Sequence, residues 1–230
     1  DLWYVPSPLY SLFFPFKDIS LGGKYNNFGI HGTGVATAAD SLAAIKKYVF
    51  EEKSISPADY IAAVDADFAH TPELLAKLRY NTPKMGNDDD FVDDIAVRLL
   101  ADFADALEDK RNCRGGRYRA GTGSAMYYLW HAEQIGASPD GRRKGEGLGT
   151  NYSASLYARN QGPFSIVKSF AKPDLTRNCN GGPLTLEFHS STFHSEDGIK
   201  KLALLVRSFV EQGGHQIQLV LLVLISDGEL

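Results

Sequence analysis

Cysteine is scarce in this chain: its 230 residues include two, Cys113 and Cys179. Two thiols far apart, without paired spacing, exclude a disulfide framework and read as free thiols in a reducing compartment. They also exclude a knuckle-type metal site. His189 and His194 stand five apart, but no carboxylate or Cys is placed to complete a ligand set, so no metal is expected. Long apolar runs are missing too. The longest, Leu219 to Ile225, is far too short to span a bilayer. No signal peptide is visible, so a cytoplasmic location without a membrane partner is expected. Cations are not in excess, with 24 Lys and Arg against 28 Asp and Glu and a net charge of −4. That balance argues against a nucleic-acid surface, which needs clustered positive charge. Arg111, Arg114, Arg117 and Arg119 form one local basic cluster. It is read as solvated or paired in preference to phosphate-binding. The first residue is Asp1 and not Met, which is read as the mark of a trimmed or partial product.

Internal repeats and low-complexity linkers are also absent. What is present suits one sizeable core: 43% hydrophobic and 23% charged residues in a chain of this length. Thr37 and Asp40, three apart, predict a capping box opening a helix that stops near Lys53. Leu42, Ile45, Val49 and Phe50 are expected to form its buried face, with Lys46, Lys47 and Glu51 outside. Ser56-Pro57 and Thr71-Pro72 predict two further helix starts, since Pro in a first turn loses no needed hydrogen bond. The acidic run Asn87 to Asp94 reads as the N-terminal cap of a long helix through Ile95, Leu99, Phe103 and Leu107. It lacks the central Gly and closing Glu of a calcium loop. Gly115 to Asn160 reads as loop-rich, with a strong turn at Pro139-Asp140-Gly141. Short strands are predicted at Gly162 to Val167 and Pro183 to Phe188. An amphipathic helix carries Ile199, Leu202, Leu205, Val206 and Phe209 and ends at Gly213-Gly214. Ile217 to Ile225, continuously apolar, reads as a buried strand. Helices alternating with short strands predict an α/β fold.

The glycine-rich stretch GGKYNNFGIHGTGVATAAD, Gly22 to Asp40, lets backbone approach a ligand or other backbone closely. It lacks the Lys-Ser/Thr of a P-loop. It matches a dinucleotide fingerprint only loosely, because the residues before Gly29 do not read as a convincing strand.

Four segments, in order, resemble the pyruvate formate-lyase and glycerol dehydratase superfamily of glycyl radical enzymes. They are KYNNFGIHGTGVATAADSLAAIKKYVFEE (Lys24 to Glu52), PKMGNDDDFVD (Pro83 to Asp93), GASPDGRRKGEGLG (Gly136 to Gly149) and GGHQIQ (Gly213 to Gln218). The resemblance covers nearly the whole chain from Ser7 onward. It implies that residues 1–230 form part of a ten-stranded α/β barrel built of two five-stranded halves. In that family a finger loop carries an active-site Cys and a second loop carries the Gly that stores the radical. A partner activase with an iron–sulfur cluster and S-adenosylmethionine installs that radical. The pattern departs from the family in three places. The Cys finger motif lies upstream of the matched region, and neither Cys113 nor Cys179 sits in such a motif. The stretch after GGHQIQ reads LVLLVLISDGEL, where Gly228 does not match the radical motif. Between Pro8 and Gly22 the chain is short and carries Pro15, which would interrupt a helix.

The resemblance therefore implies a fragment of a dehydratase, lyase or formate acetyltransferase, inactive alone, with no catalytic residue of its own and no cofactor bound. The radical, the activase and the small-molecule substrate belong to the full-length parent. Unpaired strand edges of part of a barrel invite association, so a homo-oligomer or a complementing chain is expected. The alternative is a non-catalytic interaction protein complementing another glycyl radical subunit. Tyr118 and Tyr127 flank the Gly121-Thr122-Gly123 turn, where the resemblance implies a substrate-facing Tyr; the alternative is a half-buried wall aromatic. His31, in the glycine-rich turn, is a candidate for ligand contact. His131 reads as structural, with acid/base work as the alternative. His215 and Gln218 read as loop anchors, and Asp140 and Arg142 as fixing their turn.

Overall fold

The computed structural model describes residues 25–222. The expectations on Pro8 to Gly22 and on Gly228 fall outside them. Strands β1 (Phe28–His31) and β2 (Tyr118–Gly121) pair in parallel, from Phe28 opposite Tyr118 to His31 opposite Gly121. Strands β3 (Leu184–His189) and β4 (Ile217–Leu222) form a second parallel pair, from Leu184 opposite Ile217 to His189 opposite Leu222. The segment entering β3 stitches the pairs together. Asn180 N donates to Ala120 O at 3.0 Å, and Thr122 N donates to Gly181 O at 2.8 Å. Gly182 makes this seam possible. Its φ is +134°, and a Cβ there would stand 1.8 Å from Thr122 Oγ1. The fold is thus mixed helix and strand, and the four strands among the described residues do not close a ten-stranded barrel. Residues 25–27 form no strand, in line with the reading from sequence, and β1 begins only at Phe28, with Gly29 inside it. Pairing with β2 makes β1 a strand, where its own hydrophobicity would not.

Helix α1 (Val35–Ile45) starts from Gly34 in the left-handed region, φ 77°, with no side-chain cap. Thr37 and Asp40 lie inside it and do not form the expected capping box. Thr37 Oγ1 accepts from Gly149 N at 2.9 Å instead. The Asp40 carboxylate accepts from Met85 N at 2.8 Å and from the Ser155 hydroxyl. Complete burial pushes Asp40 up to about 7 despite the nearby Lys84 ammonium. The buried face of α1 is alanine, with Ala36, Ala39 and Ala43 fully enclosed, while Leu42 and Phe50 are exposed. Small side chains bring α1 close against the long helix α4 (Asp90–Glu108). A π-helical turn, Lys46–Glu51, follows α1 and buries Tyr48, whose hydroxyl donates to Asn81 O at 3.2 Å.

Helix α2 (Pro57–Asp65) has the expected cap, Ser56 Oγ accepting from Asp59 N at 3.1 Å. Helix α3 (Pro72–Tyr80) starts on its proline without a side-chain cap from Thr71. The α4 cap is Asp89, accepting from Phe91 N at 3.0 Å. A lysine centres the acidic run: Lys172 Nζ lies 3.2, 2.6 and 2.7 Å from Asp88, Asp90 and Asp93. Helix α5 (Tyr127–Gln134) follows β2. Helix α6 (Pro163–Ala171) replaces the strand expected at Gly162 to Val167. Pro163 occupies the first turn, and Ile166, Val167 and Phe170 recur at helical spacing to face the core. Helix α7 (Glu196–Glu211) is capped by Ser195 Oγ, which accepts from Gly198 N at 3.0 Å, and gives way to Gly213 at φ 86°. The main core gathers Phe170, Val167, Leu184, Leu205 and Phe209 with the α1 alanines. Strand β4, expected to be buried, exposes Leu219, Leu221 and Leu222. Its apolar pattern suits cover on both faces, and among the described residues it pairs only with β3. No helix among the described residues is long and apolar enough to cross a membrane.

Candidate functional site

Parallel strands β1 and β2 end side by side at His31 and Gly121. Beyond them the chain turns through Gly32-Thr33-Gly34 on one side and Thr122-Gly123-Ser124 on the other. Between the turns lies a hollow of about 450 Å³, lined by His31, Thr33, Gly123, Ser124, Ala125, Tyr127 and His131. The carboxyl ends of parallel strands are where open α/β sheets take ligands, and this volume suits a small molecule.

His31 is held from one side and closely approached by glycine backbone on another. Asn180 Nδ2 lies 2.8 Å from its Nε2. The amide reaches it across bare backbone, because a Cβ on Gly29 would stand 1.9 Å from Asn180 Nδ2. Opposite, a Cβ on Gly123 would stand 3.0 Å from both Cε1 and Nδ1 of His31. Ser124, on the lining of the hollow, begins a polar chain. Ser124 N donates to Asn151 Oδ1 at 2.8 Å, and Asn151 N donates to Ser124 Oγ at 3.0 Å. Asn151 Nδ2 donates to Thr185 Oγ1 at 3.1 Å, and Thr185 Oγ1 donates to Gln218 Oε1 at 3.3 Å. Ser124 is therefore tied through β3 to β4. The rim is aromatic: Tyr127 stacks on His131 with ring centres 5.4 Å apart and meets Trp130 edge-on at 5.2 Å. Imidazole, phenol and hydroxyl groups facing one small space can hydrogen-bond a small polar molecule.

The structure brings His31 and Tyr127 together and leaves Tyr118 apart. Tyr118 opens β2, ~10 Å along the strand from the end that borders the hollow. It packs edge-on against Phe28 at 6.2 Å and lines a different groove with Arg117, Arg119, Glu108 and Arg177. His131 joins the hollow as part of the rim. His215 stacks on Phe170 at 5.8 Å, and burial lowers its pKa. Asp140 and Arg142 are both buried in their turn, where Asp140 Oδ1 accepts from Ser138 Oγ at 2.6 Å and Arg142 Nη1 donates to Glu146 O at 2.9 Å. Cys113 and Cys179 are exposed, and neither lines the hollow. Sequence reasoning missed Asn180, Thr33 and Ser124. Asn180-Gly181-Gly182 does signal a turn, but its partner His31 is 149 residues away.

A family profile described as pyruvate formate lyase-like matches residues 5–130. The trans-4-hydroxy-L-proline dehydratase of Clostridioides difficile is 33% identical over 203 residues, covering 88% of this chain and 26% of that protein. The (2S)-3-sulfopropanediol dehydratase of Klebsiella oxytoca is 30% identical over 210 residues, covering 88% and 25%. Among solved structures, the glycerol-bound B12-independent glycerol dehydratase from Clostridium butyricum has a TM-score of 0.87 at 32% identity, covering 93% of this chain and 27% of that one. A glycyl radical enzyme from Archaeoglobus fulgidus has a TM-score of 0.85 at 30% identity, with 94% and 28% covered. The chain spans about a quarter of the length of these relatives. With the family pattern running over more than half its residues and a backbone shared over nine-tenths of its length, the chain belongs to the pyruvate formate-lyase-like glycyl radical enzymes.

Proposed function

We propose that this chain forms part of the reaction-chamber wall of a glycyl radical dehydratase or lyase and has no turnover by itself. One observation carries the reading: a small hollow at the carboxyl ends of β1 and β2 in which a held imidazole, His31, faces a phenol, Tyr127. These two side chains are the substrate-facing pair. Tyr118 has its own groove and takes no part in it. The names of the relatives favour dehydratase or lyase chemistry over formate acetyl transfer, and a small hydroxylated substrate such as glycerol or trans-4-hydroxy-L-proline. The radical, installed by an activase, would supply hydrogen abstraction in the parent enzyme. This chain's described residues do not fit that part of the chemistry, because both thiols are exposed and neither lines the hollow.

The test is anaerobic incubation of the purified chain with a radical activase, S-adenosylmethionine, reductant and either glycerol or trans-4-hydroxy-L-proline. The expected outcome is neither product nor a glycyl radical signal by electron paramagnetic resonance. Either one overturns the reading. A second reading, a non-catalytic chain that complements another glycyl radical subunit, is favoured by the exposed leucines of β4. Size-exclusion chromatography with light scattering checks it. A self-associated or complexed species supports it, and a chain that stays monomeric with every candidate subunit removes its support.

A further inference from the structure

The contact between Asn180 and His31 decides what the imidazole offers to the hollow. A neutral imidazole carries one proton, and the hydrogen bond at one nitrogen fixes which nitrogen holds it. Asn180 Nδ2 is a donor and lies 2.8 Å from Nε2, so Nε2 accepts and the proton resides on Nδ1. The Nδ1 edge is the one facing Gly123, where the missing side chain leaves it uncovered at the wall of the hollow. The Asn180 backbone is fixed, since its N donates to Ala120 O, and its side chain passes over the bare backbone of Gly29. We propose that Asn180 is a positioning residue that holds His31 as the Nδ1–H tautomer, so that the hollow takes a substrate presenting a hydroxyl or carboxylate oxygen to that N–H. The substrate part rests on the chamber-wall reading above; the tautomer part does not. In this arrangement His31 is a hydrogen-bond donor and does not take a proton from substrate. The absence of a side chain at position 123 selects for an oxygen that can reach the ring edge.

The experiment is nitrogen-15 NMR of the histidine rings in the full chain at about pH 8.5, where an ordinary imidazole is neutral. The chain has six histidines, and the signals lost in His31→Ala assign the ring. Couplings between ring protons and ring nitrogens identify the protonated nitrogen. The wild type is expected to show Nδ1–H. Asn180→Asp is expected to show Nε2–H, because a carboxylate only accepts. A wild type with Nε2–H overturns the proposal, as does a tautomer unmoved in Asn180→Asp. Amide spectra of each variant verify folding. Should the Asp variant unfold, Asn180→Ala serves instead and is expected to shift the population toward Nε2–H. Glycerol and trans-4-hydroxy-L-proline are the binding probes, and about tenfold weaker binding of trans-4-hydroxy-L-proline is expected in Asn180→Asp. Probes that leave His31 and Tyr127 unperturbed while the tautomer stays Nδ1–H overturn the chamber-wall reading and the substrate class together, and leave the positioning role established.

Discussion

Replacing Asp40 by Asn should remove a specific part of the pH dependence of stability. Asp40 is completely buried on α1, and its carboxyl group is pushed from 3.8 up to about 7. Burial is the dominant cause; the Lys84 ammonium, the Ser155 hydroxyl and the Met85 amide pull the other way and do not win. The native state therefore binds this proton more tightly than the unfolded chain does. The stabilisation is complete below about pH 4 and is lost as pH rises through about 7. The gap corresponds to about 4 kcal/mol at its limit. Asparagine resembles the protonated acid in shape and in lacking charge, and its carbonyl can still accept from Met85 N. Urea unfolding midpoints between about pH 4 and pH 8 are the assay, and the difference between variant and wild type is the quantity, because other groups titrate too. The Asn variant should match the wild type at the acid end and exceed it by up to about 4 kcal/mol at the alkaline end. A variant whose pH profile runs parallel to the wild type would show that Asp40 takes up no extra proton on folding.

Two further substitutions probe the contacts that hold the elements together. Lys172→Met removes the cation shared by Asp88, Asp90 and Asp93, of which Asp93 is 1% exposed. It should cost roughly 3 kcal/mol in thermal or urea unfolding, since a buried carboxylate loses its partner; an unchanged midpoint contradicts this. Gly182→Ala must place a methyl group 1.8 Å from Thr122 Oγ1 on a backbone at φ +134°. It should cost at least about 2 kcal/mol and speed hydrogen exchange at the Thr122 amide, which bonds Gly181 O. Exchange as slow as in the wild type would show that this seam does not join the strand pairs.

Much of the fold was legible where local chemistry decides. Ser56-Pro57 starts a helix because Ser and Pro satisfy the first turn by themselves, and Gly213 ends one because its φ is positive. What was misread depends on distant partners. Thr37 and Asp40 have the spacing of a cap, but Gly149, Met85 and Ser155 claim their oxygens. The buried stripe of α1 rests on small residues, Ala36, Ala39 and Ala43. A reading that weights large side chains therefore takes Leu42 for a buried position of α1, where it is exposed. The β-branched Ile166 and Val167 suggested a strand, and tertiary burial at helical spacing overrode that propensity. At the site, the glycine-rich turn pointed to His31, and the sequence around Gly121 pointed to Tyr127. Nothing local could separate Tyr118 from Tyr127, because Tyr118 opens β2 while Tyr127 opens α5 beyond the strand's other end. Asn180 was invisible for the same reason, since its role exists only once β2 and the β3 entry lie side by side.

The space between His31 and Tyr127 is expected to receive a small oxygen-bearing molecule. Amide and side-chain chemical shifts of isotope-labelled chain, followed during titration with glycerol or trans-4-hydroxy-L-proline, test it most directly. Saturable changes confined to His31, Thr33, Gly123 to Ala125, Tyr127 and His131 are expected. Changes centred instead on Tyr118 and Arg119, or none at any concentration, would contradict it.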